Sequence, residues 1–350
     1  MEKAAVTDTI RTETKTGAGK YAVTVLAVIA VLALCAASLL GGEIALSDVQ
    51  RGTLRILAIV CGCSVLYCFI VGEIAQNFSQ MDKLWSLLPI VYTWIITVRG
   101  GFRPRLIAAA LVVTAWGIRL TVNFARKGAY RLKFWTGNED YRWSIVRANP
   151  VFRHRIAWVL FDLFFISFYQ NALVLAICLP ALAAMESNAP LGWIDFAAVA
   201  FAVFFLVLET AADELQWRFH EKKKRLLADG KSLSELPMPY RLGFNTFGIW
   251  AWMRHPNYLG EQGIWLSLYF LAVGAGVAHH GLFHWSAAGP LLLVLLFIGS
   301  SALGESISAK KYTAYAAYIR QVWKYLPVRR FHPETGGEGK GFQNHRGNGF

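Results

Sequence analysis

Long apolar runs, each about as long as a membrane-spanning helix, alternate with polar and basic segments along the chain. A transmembrane helix needs roughly 20 predominantly apolar residues. Runs of this length favour a bundle of helices over a β-barrel, whose strands give shorter and alternating patterns. The pattern predicts eight candidate spans at residues 21–40, 54–71, 84–98, 106–123, 156–184, 194–208, 264–277 and 287–303.

The fold class predicted from this pattern is an all-α, polytopic integral membrane bundle with seven or eight transmembrane helices. The polar stretch 1–19 and the Gly-rich stretch 331–350 are predicted to be disordered tails, which leaves 20–330 as one membrane domain. The apolar run 21–40 is too long for a typical signal peptide, so a retained helix is expected there.

Composition supports a membrane protein and changes the meaning of the basic charge. Apolar residues make up 55% of the chain and charged residues 16%, against about 25% charged in soluble domains. The formal net charge of +13 would suggest a nucleic-acid partner in a soluble protein. With a cytosolic N-terminus, however, 29 of the 35 Lys and Arg residues fall in cytosolic segments, as the positive-inside rule requires. We therefore expect both termini in the cytosol, contact with membrane lipids and no nucleic-acid partner.

One polar stretch stands at the start of the apolar run 264–277. Pro256 suits the first turn of a helix and cannot continue an earlier one, so a helix is predicted to begin there. Asn257 and Glu261 then share one face of that helix. Arg254 and His255 flank its N-terminus, which is a natural site for anions. Two interpretations stay open: a site for a phosphorylated cofactor, or a capped helix with interfacial anchors.

The fourth span carries a cationic face that emerges on the cytosolic side. Arg119 and Asn123 lie four residues apart, and Arg126 and Lys127 follow in the next turn. A guanidinium group within the membrane must meet a carboxylate, a phosphate or water. Arg119 is therefore predicted to have a buried polar partner.

A polar stripe continues the sixth span beyond the membrane. Glu209, Asp213, Gln216 and His220 follow helical spacing along one face. The stripe indicates either a solvated face or an internal polar cavity, and the buried span favours the cavity, shared with Arg119 and the residues at 257 and 261. No second His lies at ligand spacing from His220, so no metal site is predicted.

The segment before the third span is also polar. Asp82 could cap that span, because Asp favours helix N-caps, and Trp85 suits an aromatic belt at the membrane interface. The fifth span is interrupted by Asp162, Gln170 and Asn171.

Several motifs in combination resemble those of the steroid 5-alpha-reductase superfamily, most closely its largely bacterial domain-of-unknown-function branch. The two main motifs are Arg254-His255-Pro256-Asn257-Tyr258-Leu259-Gly260-Glu261 and Glu209-x-x-Ala212-Asp213. The Arg-His-Pro core is shared with isoprenylcysteine carboxyl methyltransferases.

The resemblance implies a helical core that holds NADPH in a cavity open to the cytosol and reduces the carbon–carbon double bond of a lipid enone. Asp213, Asn257 and Glu261 match cofactor-binding positions of the steroid reductases, whereas Glu209 stands where those enzymes have Asn. The full set of predicted cofactor-binding residues is Arg119, Asn123, Arg126, Glu209, Asp213, Arg254, His255, Asn257, Tyr258 and Glu261.

One departure concerns the proton donor. Steroid reductases carry a Gln-Glu-Leu-Pro segment whose Glu binds the substrate ketone, and the matching stretch here is Ser86-Leu87-Leu88-Pro89. Because that carboxylate is missing, Asp82 and Tyr92 are the predicted catalytic residues, and a steroid is not the assured substrate.

Two rival functions stay open at this stage. The first is an S-adenosylmethionine-dependent methyltransferase of the isoprenylcysteine type. The second is a non-catalytic lipid or sterol binder, which the buried charged residues disfavour because they are costly without a function.

Overall fold

The computed structural model describes residues 46–277 and 284–333, and this part of the chain is all α, without a β-strand. The predicted span 21–40, the tail 1–19 and most of the tail 331–350 lie outside the described residues.

The helices are numbered here in chain order, and short 3-10 turns between them are left unnumbered. They are α1 (Asp48–Ala75), α2 (Gln80–Leu84), α3 (Leu88–Arg99), α4 (Pro104–Ala125), α5 (Tyr141–Arg147), α6 (Arg155–Ala184), α7 (Trp193–Ala228), α8 (Pro256–Gly274), α9 (Ala288–Lys311) and α10 (Tyr315–Gln321).

Five helices of the described part are long and apolar enough to cross a membrane: α1, α4, α6, α7 and α9 with its preceding 3-10 turn. This confirms an integral membrane helical bundle. The described helices do not establish seven or eight spans. The third predicted span is the 12-residue helix α3, and α8 begins with polar residues before its apolar part.

Local signals explain where the helices begin. Ser47 caps α1 and forms a reciprocal capping box with Gln50. Pro104 opens α4 and Pro256 opens α8, as expected for a residue that lacks an N–H group. The prediction that Asp82 caps the third span is wrong, because Asp82 lies inside α2 and a turn separates it from α3.

The fifth predicted span lies in α6, which is irregular at its centre and has a turn at residues 177–178. In α6 the segment Asp162–Tyr169 is π-helical, with regular α-helix before and after it. Segments of this kind are rare and frequently mark functional sites. The interruption therefore begins at one of the polar residues that the sequence singled out.

The described residues form two compact units. The first unit holds the residues up to Asp213 and Asn257–Leu303, and the second holds Glu214–Pro256 and the residues from Gly304 onward. The first unit has the larger apolar core, whose most bulky buried side chains include Trp116, Trp158 and Trp265.

The second unit has a small aromatic core. Phe244 packs against Tyr315 and Tyr318, and Phe331, from the stretch predicted as a tail, joins the same cluster. Helix α10, which carries Tyr315 and Tyr318, ends at Gln321.

Candidate functional site

A buried guanidinium group holds two carboxylates in the first unit. Arg119 of α4 donates through Nη1 to Asp213 Oδ2 at 2.6 Å and through Nη2 to Glu209 Oε1, both on α7. The three side chains are only 12%, 11% and 5% exposed, in the order Arg119, Asp213, Glu209. Arg119 therefore has the buried acidic partners that its position in the membrane requires.

Amide side chains extend this arrangement, which is called the Arg119 cluster below. Asn123 Nδ2 donates to Asp213 Oδ2 at 2.8 Å, and Asn257 Nδ2 donates to Asp213 Oδ1 at 3.2 Å. Arg126 donates to Asn123 Oδ1 and to the backbone carbonyl of Asp213. Asp213 thus joins α4, α7 and α8, as the helical spacing of these residues predicts.

Close packing of α7 and α8 depends on Gly260. A Cβ atom at this position would lie 2.6 Å from the Cβ of Glu209 and 2.9 Å from the carbonyl oxygen of Phe205. No side chain fits there without moving the backbone, so glycine lets the helix that carries Glu261 approach the helix that carries Glu209. Their two carboxyl groups lie side by side as a result.

Glu261 is held by three indole rings. Trp116 Nε1 donates to Oε2 at 2.8 Å, while Trp265 Nε1 at 3.3 Å and Trp85 Nε1 at 3.5 Å approach Oε1. Indole N–H groups can only donate, so the three rings occupy acceptor positions of the Glu261 carboxyl group. Arg119 lies close enough to Glu261 for the two side chains to interact.

A more exposed, mainly basic rim adjoins the cluster. Desolvation lowers the pKa of Lys127, and the nearby charges of Asp213 and Asp140 partly oppose that effect. Arg142 donates to both carboxylate oxygens of Asp140, at 2.9 and 3.0 Å. Tyr258 and Asp82 also lie close enough to Arg142 to influence it.

The environment of Asp82 suits a group that carries a proton. Desolvation raises the pKa of Asp82, and the Arg142 guanidinium only partly opposes this. Its Oδ2 accepts a hydrogen bond from Trp143 Nε1 at 2.8 Å. The neighbouring Lys83 is fully buried and anchors the loop between α4 and α5 by donating to the carbonyls of Phe134 and Thr136.

Three buried polar atoms of the Arg119 cluster have no hydrogen-bond partner among the described residues: Arg119 Nε, Glu209 Oε2 and Asn257 Oδ1. Such atoms are uncommon in buried positions and call for an explanation, such as a ligand. They include one donor and two acceptors, so they match a ligand that carries hydroxyl or amide groups.

Two more of the predicted cofactor residues share one carboxylate partner. Arg254 and His255 belong to the second unit, where both bind Glu305 Oε1, at 2.8 and 2.9 Å. Arg254 also donates to the carbonyls of Ile319 and Val322. These contacts, called the Glu305 clip below, tie α9 and the end of α10 to the stretch before α8. A cofactor role for Arg254 and His255 stays a prediction.

Tyr92 lies in the apolar core of the first unit. It is fully buried beside Cys61, and its hydroxyl group has no hydrogen-bond partner among the described residues. Its role as a proton donor stays a prediction, and its surroundings support Asp82 better.

The residues of the polar stripe on α7 differ in burial. Glu209 is buried and Asp213 is partly buried, whereas His220 is exposed and contacts Gln216 Nε2 through its own Nε2 at 3.1 Å. Sequence reasoning missed Trp116 and Trp265 as ligands of Glu261. Their spacing is a usable signal, because Trp116 precedes Arg119 by one turn and Trp265 follows Glu261 by one turn.

Comparison with known proteins places the chain in a family. Residues 68–322 match the family described as "Protein of unknown function (DUF1295)". The chain belongs to the DUF1295 family. A relative from Schizosaccharomyces pombe, "Uncharacterized protein C594.04c", is 33% identical over 283 residues, which cover 75% of this chain and 78% of the relative. No solved structure matches the chain.

Proposed function

We propose that this DUF1295 protein is a membrane-embedded, NADPH-dependent reductase of a carbon–carbon double bond in a lipid-like or steroid-like enone. The observation that carries the proposal is the Arg119 cluster, in which a donor and two acceptors are buried without partners beside a basic rim. The motif resemblance to the steroid 5-alpha-reductase superfamily supports the same assignment.

The residues present fit this cofactor. Glu209, Asp213 and Asn257 offer acceptors and an amide for ribose hydroxyl groups and a carboxamide. Lys127 and the half-buried Arg126 offer cations that a pyrophosphate and a 2′-phosphate attract, whereas Arg142 is held by Asp140. Arg119 is already held by two carboxylates, so its role is to position them rather than to bind phosphate.

The chemistry divides between the cofactor and the chain. When bound, NADPH supplies the hydride for the β carbon of the enone. Asp82 is the group that holds the proton for the carbonyl oxygen or the α carbon, because its pKa is raised toward the range of a working acid.

Binding linkage provides the test. In purified full-length protein, NADPH should raise the melting temperature and S-adenosylmethionine should not. Asn257→Ala and Glu261→Gln should weaken the NADPH effect, because they remove an unpaired acceptor and the charge near Arg119. Cys61→Ala, a substitution in the apolar core, should leave the NADPH-induced shift unchanged.

The same experiment separates the rival functions. Stabilisation by S-adenosylmethionine alone would replace the reductase assignment with a methyltransferase. Stabilisation by neither molecule, with a lipid retained through purification, would favour a non-catalytic binder. Asp82→Asn should abolish NADPH oxidation with an enone while the NADPH-induced shift persists, which assigns Asp82 to proton transfer rather than binding.

A further inference from the structure

A second group of buried oxygen atoms lies in the first unit, where the π-helical segment of α6 packs against α1. Asp162 opens that segment and is only 1% exposed. Its Oδ1 accepts a hydrogen bond from Ser167 Oγ at 3.3 Å, and its Oδ2 has no partner among the described residues. A carboxylate oxygen in this position is costly unless something neutralises it.

Two neighbouring side chains also present an unused oxygen. Glu73 of α1 binds Arg155 through Oε2 at 2.6 Å, while its Oε1 is buried without a partner. The charge of Glu73 acts on Asp162, so the two carboxyl groups lie near each other. Asn171 donates to the carbonyl of Ser167 at 2.7 Å, and its Oδ1 is buried without a partner.

A small space at Gly72 adjoins these oxygens. A Cβ atom at Gly72 would lie 3.8 Å from Asp162 Oδ2 and 3.6 Å from the carbonyl oxygen of Asn77, both ordinary contact distances. The point beside Gly72 is thus bordered by one carboxylate oxygen, by one carbonyl oxygen that also accepts from Gln80 Nε2, and by the ring of Phe78 at 3.8 Å. Neither of these oxygens can donate a hydrogen bond while the carboxyl group is charged.

The local field favours a positive charge. Gly72 and Glu73 belong to the last turn of α1, where the helix dipole places its negative end. The titratable and charged groups around Asp162 are Glu73 and Cys68 of α1, with Arg155 beyond Glu73 and Arg147 over the ring of Trp158. Among the described residues, no Lys or Arg forms an ion pair with Asp162.

We propose that Asp162 and Glu73, with the carbonyl of Asn77, bind one small monovalent metal cation of the Na⁺ class within the membrane bundle. Oxygen ligands suit hard cations. No group of three His, Cys, Asp or Glu side chains suited to a metal occurs in the described part of the chain, which disfavours a transition metal. One proton would satisfy a single pair of oxygens, whereas a metal ion satisfies several.

The test uses the purified full-length protein in detergent at constant ionic strength. Radioactive ²²Na⁺ should bind saturably, at about one ion per chain, and NaCl should raise the melting temperature relative to choline chloride. Asp162→Asn should abolish both effects, because the amide keeps the shape and removes the charge. Glu73→Gln should weaken ²²Na⁺ binding at least tenfold, and it serves as the second variant if Asp162→Asn does not fold.

Asp48→Asn is the matched control. It removes an exposed carboxylate from the same helix and should leave ²²Na⁺ binding unchanged. The proposal is overturned if Asp162→Asn and Glu73→Gln bind ²²Na⁺ like the wild type. It is equally overturned if the wild type binds no ²²Na⁺ and its stability follows pH alone, because Asp162 is then simply protonated. Neither result bears on NADPH binding, which is measured separately.

Discussion

The Arg119 cluster and the Glu305 clip have opposite charge balances. Three carboxylates, those of Glu209, Asp213 and Glu261, gather near one guanidinium group in the first. In the second, Arg254, His255 and Lys324 gather around the single carboxylate of Glu305.

The two arrangements also differ in whether their buried polar atoms all have hydrogen-bond partners. Arg254 directs the donors left over from Glu305 to the carbonyls of Ile319 and Val322, so backbone atoms complete the clip. The Arg119 cluster keeps buried atoms without partners in the described structure. We infer that a polar cluster closed by backbone groups serves the fold, whereas a cluster that retains unused donors and acceptors serves a ligand.

The largest expected effect is that of Arg119→Ala. It leaves three buried carboxylates without their cation, and we expect a loss of about 3–5 kcal/mol in the free energy of unfolding. Chemical unfolding of the detergent-solubilised protein measures this loss. Arg51→Ala, which removes an exposed partner of Asp48, should change stability by about 0–1 kcal/mol.

A compensated variant sharpens that result. Arg119→Met combined with Glu209→Gln and Asp213→Asn should recover much of the lost stability while the NADPH-induced rise in melting temperature stays absent. Recovery of both properties would show that the cluster is only structural.

A substitution in the Glu305 clip should lower stability by less than Arg119→Ala does, and it should leave NADPH binding unchanged. Arg254→Ala removes charge-assisted hydrogen bonds, each contributing roughly 1.5–3 kcal/mol, to Glu305 and to carbonyls at the end of α10. We expect lower stability of the second unit and an unchanged affinity for NADPH, measured by thermal unfolding and by ligand titration. If Arg254→Lys kept the melting temperature but lost at least tenfold in NADPH affinity, the distinction between clip and ligand site would fail.

The smallest expected effect is a pH dependence at His255. Burial lowers the pKa of His255, and its hydrogen bond with Glu305 only partly opposes this. The unfolded chain, with a His pKa of about 6.5, therefore binds a proton more readily than the folded chain. Stability should fall as the pH drops below about 6.5, with a slope of at most ~1.4 kcal/mol per pH unit.

Unfolding curves of the wild type and of His255→Gln, recorded at several pH values below about 6.5, isolate the contribution of His255 to the pH dependence of stability. The slope should be smaller in the variant. A wild-type stability that rises as the pH falls would mean that His255 is charged in the folded state and acts as a cationic partner of Glu305.

The sequence predicted the helical membrane class, the start of α8 at Pro256 and the meeting of Arg119 with Glu209 and Asp213. Helical spacing and the cost of a lone charge in lipid were sufficient for these points. It did not predict the contacts of Arg254 with Glu305 and with the carbonyls of Ile319 and Val322. Two of these acceptors are backbone carbonyls, which every residue carries, so no pattern of side chains identifies them.

The irregular centre of α6 has a consequence for how its surface is arranged. A π-helical segment holds more residues per turn than the 3.6 of an α-helix, and each extra residue rotates all later side chains by roughly 100°. Gln170 and Asn171, which follow the segment, are buried in the bundle. Deleting one residue within Asp162–Tyr169 would therefore act as a frame shift of the helix surface, turning the later side chains of α6 by roughly 100° relative to the bundle.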